Sequence, residues 1–100
     1  MTGDLMFHCY ILRCVDGKFY TGHTDDIDRR FAEHQSGVFK GFTHKRRPVE
    51  LVWNETFQSR EDAKAVEKQI KGWSSAKKEA LINRNWAIIS ELAKCRSRNL

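Results

Sequence analysis

The sequence predicts an α/β fold of the α+β type, a small three-stranded antiparallel sheet flanked by helices in the order β-β-α-β-α-α-α. Three observations carry this. Two short runs of apolar and aromatic residues flank Asp16-Gly17, a strong hairpin signal. Residues 49–57, V-E-L-V-W-N-E-T-F, alternate as a third strand does. Between and after the strands lie segments with helical spacing and capping residues at their starts. Sheet and helices together read as one layered domain. With 100 residues the chain suits a single domain, 1–100, with a core at about 7–82 and a C-terminal helix at about 85–95.

The first strand is F-H-C-Y-I-L-R-C, residues 7–14, and the second is K-F-Y-T-G-H, residues 18–23. The turn between them decides which side chains share a face. A two-residue loop pairs Val15 with Lys18 and puts Tyr10 and Tyr20 on opposite faces. A three-residue loop, with Gly17 left-handed, pairs Cys14 with Lys18 and puts Tyr10, Leu12, Tyr20 and Gly22 on one face, because side chains alternate with period two. A site using both tyrosines requires the second register, and that is the register expected.

Thr24, Asp25 and Asp26 are N-cap candidates for a helix over 27–36 that Gly37 ends. Its inward stripe is Ile27, Arg30, Phe31 and His34, two of them polar. Residues 38–48 form a loop in which Lys40, Lys45, Arg46 and Arg47 interleave with Phe39, Phe42 and His44. Ser59 caps a second helix with Glu61 and Asp62 in its first turn, where the helix dipole favours them. Its stripe is Ala63, Val66 and Ile70, with Glu67 inside it and Lys64, Lys68 and Lys71 on the outer faces. Gly72 stops this helix, and Ser74 or Ser75 starts another. A last amphipathic stretch runs from Trp86 to Cys95 through Ile89, Leu92 and Ala93.

Composition narrows the function. Net charge is +5 and the pI is about 9.3, which favours a polyanionic partner. No apolar run reaches the roughly 18 residues a membrane span needs, and the N-terminus lacks the pattern of a signal peptide. The three cysteines, Cys9, Cys14 and Cys95, are odd in number and lack C-x-x-C spacing. They read as free thiols in a reducing cytoplasm, with no disulfide partner and no structural zinc.

Chemistry is expected where polar groups interrupt apolar patterns. Arg30, His34 and Glu67 do so, and with Tyr10 and Tyr20 they are expected to converge over one sheet surface. Each has a plainer reading. The tyrosines are common sheet residues, Arg30 and Glu67 could form a buried ion pair, His34 suits a helix C-terminus, and Lys45-Arg46-Arg47 could be a solvated loop.

Taken together, Y-I-L at 10–12, Y-T-G at 20–22, R-x-x-x-H at 30–34 and a helical Glu67 resemble the GIY-YIG nuclease family, most closely its small stand-alone bacterial members. The resemblance spans roughly Cys9 to Ile82. Cys9 stands in place of the first motif's glycine, and Thr21 in place of the usual isoleucine.

The resemblance implies hydrolysis of a DNA phosphodiester to a 5′-phosphate and a 3′-hydroxyl with one divalent cation, Mg²⁺ or Mn²⁺, in DNA repair or processing. Glu67 would be the metal ligand and Arg30 the contact to the scissile phosphate. Tyr10 would orient or deprotonate the attacking water, with Tyr20 orienting Tyr10 or the phosphate. His34 would be a second proton carrier or phosphate donor, and His23 an auxiliary. Lys40, His44, Lys45, Arg46 and Arg47 would contact the nucleic acid. Branched, damaged or single-stranded DNA, duplex and RNA stay open as substrates, as does the oligomeric state. The alternatives are a non-catalytic nucleic-acid-binding module on the same fold and a protein-interaction domain using the terminal helix and Trp86.

Overall fold

The computed structural model describes residues 6–85 together with Ala87 and Ser90. Its elements are β1 (Phe7–Arg13), β2 (Phe19–Thr24), α1 (Ile27–Ser36), a 3-10 turn (His44–Arg46), β3 (Glu50–Phe57), α2 (Arg60–Lys71) and α3 (Ser75–Ile82). The C-terminal helix expected at 85–95 lies outside the described residues, apart from isolated positions.

The hairpin takes the three-residue register. The Cys14 amide donates to the Lys18 carbonyl at 2.8 Å, and Gly17 is left-handed with φ +86°. Tyr10 faces Gly22 and Leu12 faces Tyr20. The strand β3 joins the other side of β1 in antiparallel fashion, giving the order β2-β1-β3, with an irregularity in its register between Ile11 and Leu12. β1 is thus the central strand, and Cys9 to Leu12 are buried without a break. A continuous buried run means that both faces of the sheet are covered.

Alternation splits that run between two cores. Cys9 and Ile11 pack with Phe57, Ala63, Val66, Ile70 and Leu81, which places α2 and α3 on one face. Tyr10, Leu12, Cys14 and Val49 pack with Tyr20, Ile27, Phe31 and Leu51, which places α1 on the other. Each large aliphatic side chain in these clusters stabilises the fold by roughly 1.5–3 kcal/mol through burial.

Helix boundaries follow the capping residues. The Asp26 carboxylate accepts from the Arg29 amide, Ser59 from Asp62 and Ser74 from Lys77. Gly37 closes α1 with φ +84°. Just before that end, Gln35 reaches the first residue after the loop. Its amide nitrogen donates to the Val49 carbonyl and its oxygen accepts from the Val49 amide, both at 2.8 Å. This bond pair takes Val49, and the strand begins at Glu50. Cys9 and Cys14 are free and buried, and burial pushes the Cys9 thiol up, as expected for inert core thiols.

Candidate active site

On the α1 face, Gly22 makes room for a tyrosine. A Cβ at this position would stand 2.7 Å from the Tyr10 phenol oxygen and 2.8 Å from its ring carbon. The ring of Tyr10, rooted in the central strand, therefore reaches over Gly22 of the edge strand. Its oxygen lies 3.1 Å from His34 Nε2, and His34 Nδ1 lies 2.8 Å from the Thr43 hydroxyl. All three residues are buried, with 1%, 2% and 1% of their surfaces exposed. Tyr20 packs beside them, its ring centroid 4.9 Å from that of His34 and 6.3 Å from that of Tyr10. Phe39 stacks on His34 at 4.7 Å.

Arg30 joins this group from the same helix as His34. Its guanidinium lies over the Phe39 ring at 4.8 Å and donates from Nε to Glu33 at 3.2 Å. The carboxylate that balances Arg30 is therefore Glu33, one turn along the helix, and the alternative of an Arg30–Glu67 ion pair is corrected. Burial and the neighbouring Tyr20 push the Tyr10 phenol up, while the positive charge of Arg30 opposes them. Burial and then Arg30 lower the His34 imidazole from its ordinary value, against a smaller pull from Glu33. Both rings are neutral near pH 7 as a result.

Glu67 comes from the other side. His23 faces Cys9 across the hairpin, on the face that α2 covers. Glu67 meets the Nδ1 of His23 at 2.5 Å with one oxygen and the Lys71 ammonium at 2.7 Å with the other. The expected convergence over a single sheet surface is thus corrected. α2 packs on the face opposite Tyr10 and Tyr20, because its stripe is complementary to Cys9 and Ile11. The two groups meet at the β2 edge, where Gly22 lies under the Tyr10 ring and the next residue, His23, holds Glu67. Burial works to raise the Glu67 carboxyl, but Lys71 and His23 outweigh it and hold it below the ordinary carboxylate range. A hollow of about 530 Å³ lies against this cluster, lined also by Lys64 and Lys68.

The donor set limits what could be held there. Among the described residues no three His, Cys, Asp or Glu side chains gather as a metal cage. A single ionised carboxylate fits a Mg²⁺-type cation that takes one protein ligand and completes its shell with waters and substrate phosphate. Glu67 meets that condition.

The basic loop is less free than its composition suggests. Arg46 pairs with Asp16 at 3.0 Å, donates to the Phe42 carbonyl and lies over the Phe42 ring at 4.2 Å. Arg47 donates to the carbonyls of His44 and Gln35, and His44 Nδ1 faces the Gly37 carbonyl at 3.1 Å. These three side chains fasten the loop to the hairpin turn and to the end of α1. Lys40 and Lys45 are exposed and carry no such bonds among the described residues. The residues that sequence reasoning left without a role are Thr43, Phe39 and Lys71. Thr43 and Phe39 lie in a loop without periodicity. The i,i+4 spacing of Glu67 and Lys71 could have revealed their pair.

Comparison with known proteins agrees with this architecture. The GIY-YIG catalytic domain matches residues 6–80. A UPF0213 protein of Halobacterium salinarum is 46% identical over 76 residues, which cover 76% of this chain and 99% of that protein. The solution NMR structure of a UPF0213 protein from Bacillus halodurans is 41% identical, covers 80% of this chain and 85% of its own, and superposes with a TM-score of 0.53. A second NMR structure, of a protein from E. faecalis, is 35% identical with a TM-score of 0.58, covering 84% and 90%. With the motif tyrosines and Gly22 in place on the hairpin, the chain belongs to the GIY-YIG family, and its relatives include small UPF0213 proteins of bacteria and archaea.

Proposed function

We propose that this protein is a divalent-metal-dependent endonuclease that hydrolyses phosphodiester bonds in DNA with low sequence specificity, in DNA repair or processing. The observation that carries this reading is the buried hydrogen bond between Tyr10 and His34 with the Arg30 guanidinium beside it. A sheet needs no phenol–imidazole pair for stability, whereas hydrolysis needs a base whose proton has somewhere to go.

In this mechanism Tyr10 gives its proton to His34 Nε2, and the phenolate takes a proton from the attacking water. The water oxygen bonds to phosphorus as the bond to the 3′-oxygen breaks, leaving a 5′-phosphate and, after uptake of a proton from solvent, a 3′-hydroxyl. Arg30 favours the phenolate and sets a guanidinium fork on the phosphate, where negative charge builds up. Tyr20 holds the Tyr10 and His34 rings in place. Glu67 is the residue that would hold Mg²⁺ or Mn²⁺, which when bound polarises the phosphate and neutralises charge on the leaving oxygen. Lys40 and Lys45 supply uncommitted charge to the nucleic-acid backbone, with Arg46, Arg47 and His44 shaping the loop that bears them. Backbone contacts of this kind position a strand without reading its sequence. A reducing cytoplasm suits the free Cys9 and Cys14, and no helix among the described residues is long and apolar enough to cross a membrane.

Plasmid nicking with and without Mg²⁺ or Mn²⁺ tests the reading, using wild type, Arg30→Ala and Glu67→Ala. Metal-dependent nicking by wild type, reduced about 10²-fold or more in either variant, is the expected result. Equal nicking by all three would identify a contaminant. Binding without cleavage would favour a non-catalytic nucleic-acid-binding module, a reading to which the existing pairing of Glu67 with Lys71 and His23 lends weight.

A further inference from the structure

Thr43 is buried on the basic loop, far in sequence from both tyrosine motifs. Its hydroxyl lies 2.8 Å from His34 Nδ1. A neutral imidazole carries one N–H and one bare nitrogen, and its partners decide which is which. The decision can be traced from Tyr10. Among the described residues, the hydrogen-bond partner of its buried phenol oxygen is His34 Nε2, and the charged group beside it is Arg30. A guanidinium only donates. The phenol O–H therefore has one acceptor, and that acceptor is His34 Nε2. The ring proton must then sit on Nδ1, where the Thr43 oxygen accepts it.

We propose that Thr43 is a positioning residue that fixes the Nδ1–H tautomer of His34, so that the bare Nε2 always faces Tyr10. Without this acceptor the ring could carry its proton on Nε2 instead. His34 would then donate to Tyr10 and could no longer receive its proton. The loop thus does more than carry charge to the nucleic acid, since it also supplies the group that sets the direction of proton flow. The consequence for catalysis rests on the nuclease reading above, whereas the tautomer itself does not.

The test is the ¹⁵N NMR signature of the His34 ring in the full chain, alongside cleavage kinetics of wild type, Thr43→Val and Thr43→Ser. Val keeps the shape of Thr and removes the hydroxyl, while Ser keeps the hydroxyl. Wild type and Thr43→Ser should show Nδ1 protonated and Nε2 bare. Thr43→Val should shift the proton toward Nε2 and lower kcat on the order of 10²-fold, with KM little changed. A wild-type ring protonated on Nε2 would overturn the proposal with no variant needed, so a Thr43→Val chain that failed to fold would still leave it falsifiable. An unaltered tautomer and kcat in folded Thr43→Val would overturn it as well. An Nδ1–H ring in a protein that cleaves nothing would keep the role of Thr43 and remove the nuclease reading. An active enzyme protonated on Nε2 would do the reverse.

Discussion

The two faces of the sheet handle polar groups in opposite ways. On the α1 face, Tyr10, His34 and Thr43 are sealed from solvent and neutral, and each satisfies the next. On the α2 face, Glu67, His23 and Lys71 are charged or chargeable, and they border an open hollow. Burial disfavours the charged form of each group, so at rest the phenol and the imidazole are both neutral. Partial exposure lets a carboxylate stay ionised and exchange partners. One half of the site thus holds neutral groups in a fixed hydrogen-bonded chain, and the other keeps an ionised carboxylate beside an open hollow. The two are joined through consecutive residues, Gly22 and His23, on the edge strand.

The largest effect expected is on the sealed side. In Gly22→Ala, the new methyl would stand 2.7 Å from the Tyr10 oxygen, and the buried ring has little room to retreat. Overpacking of this kind costs about 1–3 kcal/mol. Urea denaturation should show that loss together with abolished cleavage. A variant with wild-type stability and activity would mean that the tight fit of Tyr10 over Gly22 does not matter.

The next effect separates the faces by pH. The His34 imidazole is lowered in the fold, so below its ordinary value of 6.5 the unfolded chain binds a proton that the native chain resists. Stability should therefore fall as pH drops below about 6.5, and His34→Gln should remove that part of the slope. Glu67 is also lowered. Its contribution is present above the ordinary carboxylate value of 4.5 and is lost only as pH falls through the lower folded one. Urea midpoints measured from pH 8 to pH 3 should resolve the His34 step before the Glu67 step. A wild-type profile flat between pH 8 and pH 5 would contradict the sealed, neutral imidazole.

The smallest effect belongs to the open side. Glu67→Gln keeps the shape and removes a charge whose partner Lys71 is about half exposed. Stability should change by less than about 1 kcal/mol, as for other solvent-screened pairs. DNA binding in EDTA should tighten, because a carboxylate no longer faces the phosphates. Weaker binding in the variant would count against a phosphate passing that close to Glu67.

Much of this arrangement was legible in the residues because local chemistry dictates it. Asp16-Gly17 implied the hairpin, and a site that uses both Tyr10 and Tyr20 required its three-residue register. The run Thr24-Asp25-Asp26, Ser59 and the pair Ser74-Ser75 marked helix starts, with Asp26 and Ser74 proving to be the caps, while Arg30 and His34 stood out as polar groups on an apolar stripe. What stayed hidden depends on tertiary packing. Alternation tells which residues share a face, yet not which helix will cover it, and so Glu67 was expected on the wrong side of the sheet. Loop charges could be counted, but their acceptors could not. Asp16, the Phe42 carbonyl and the Gln35 carbonyl claim Arg46 and Arg47 only once the loop folds back. Thr43 left no signal at all, since a threonine in an aperiodic loop looks the same whether it faces water or an imidazole.

The doubly bonded Gln35 side chain carries one more implication. Its primary amide imitates a peptide unit and pins the loop's exit at Val49 to the last turn of α1. With the base clasped, the tip around Val38, Lys40 and Gly41 projects into solvent and is open to alteration. A fluorescent reporter or a short insertion placed there would leave the Gln35 clasp and the buried Thr43–His34–Tyr10 chain undisturbed. The clasp thus turns this loop into a natural port for instrumentation or for retargeting.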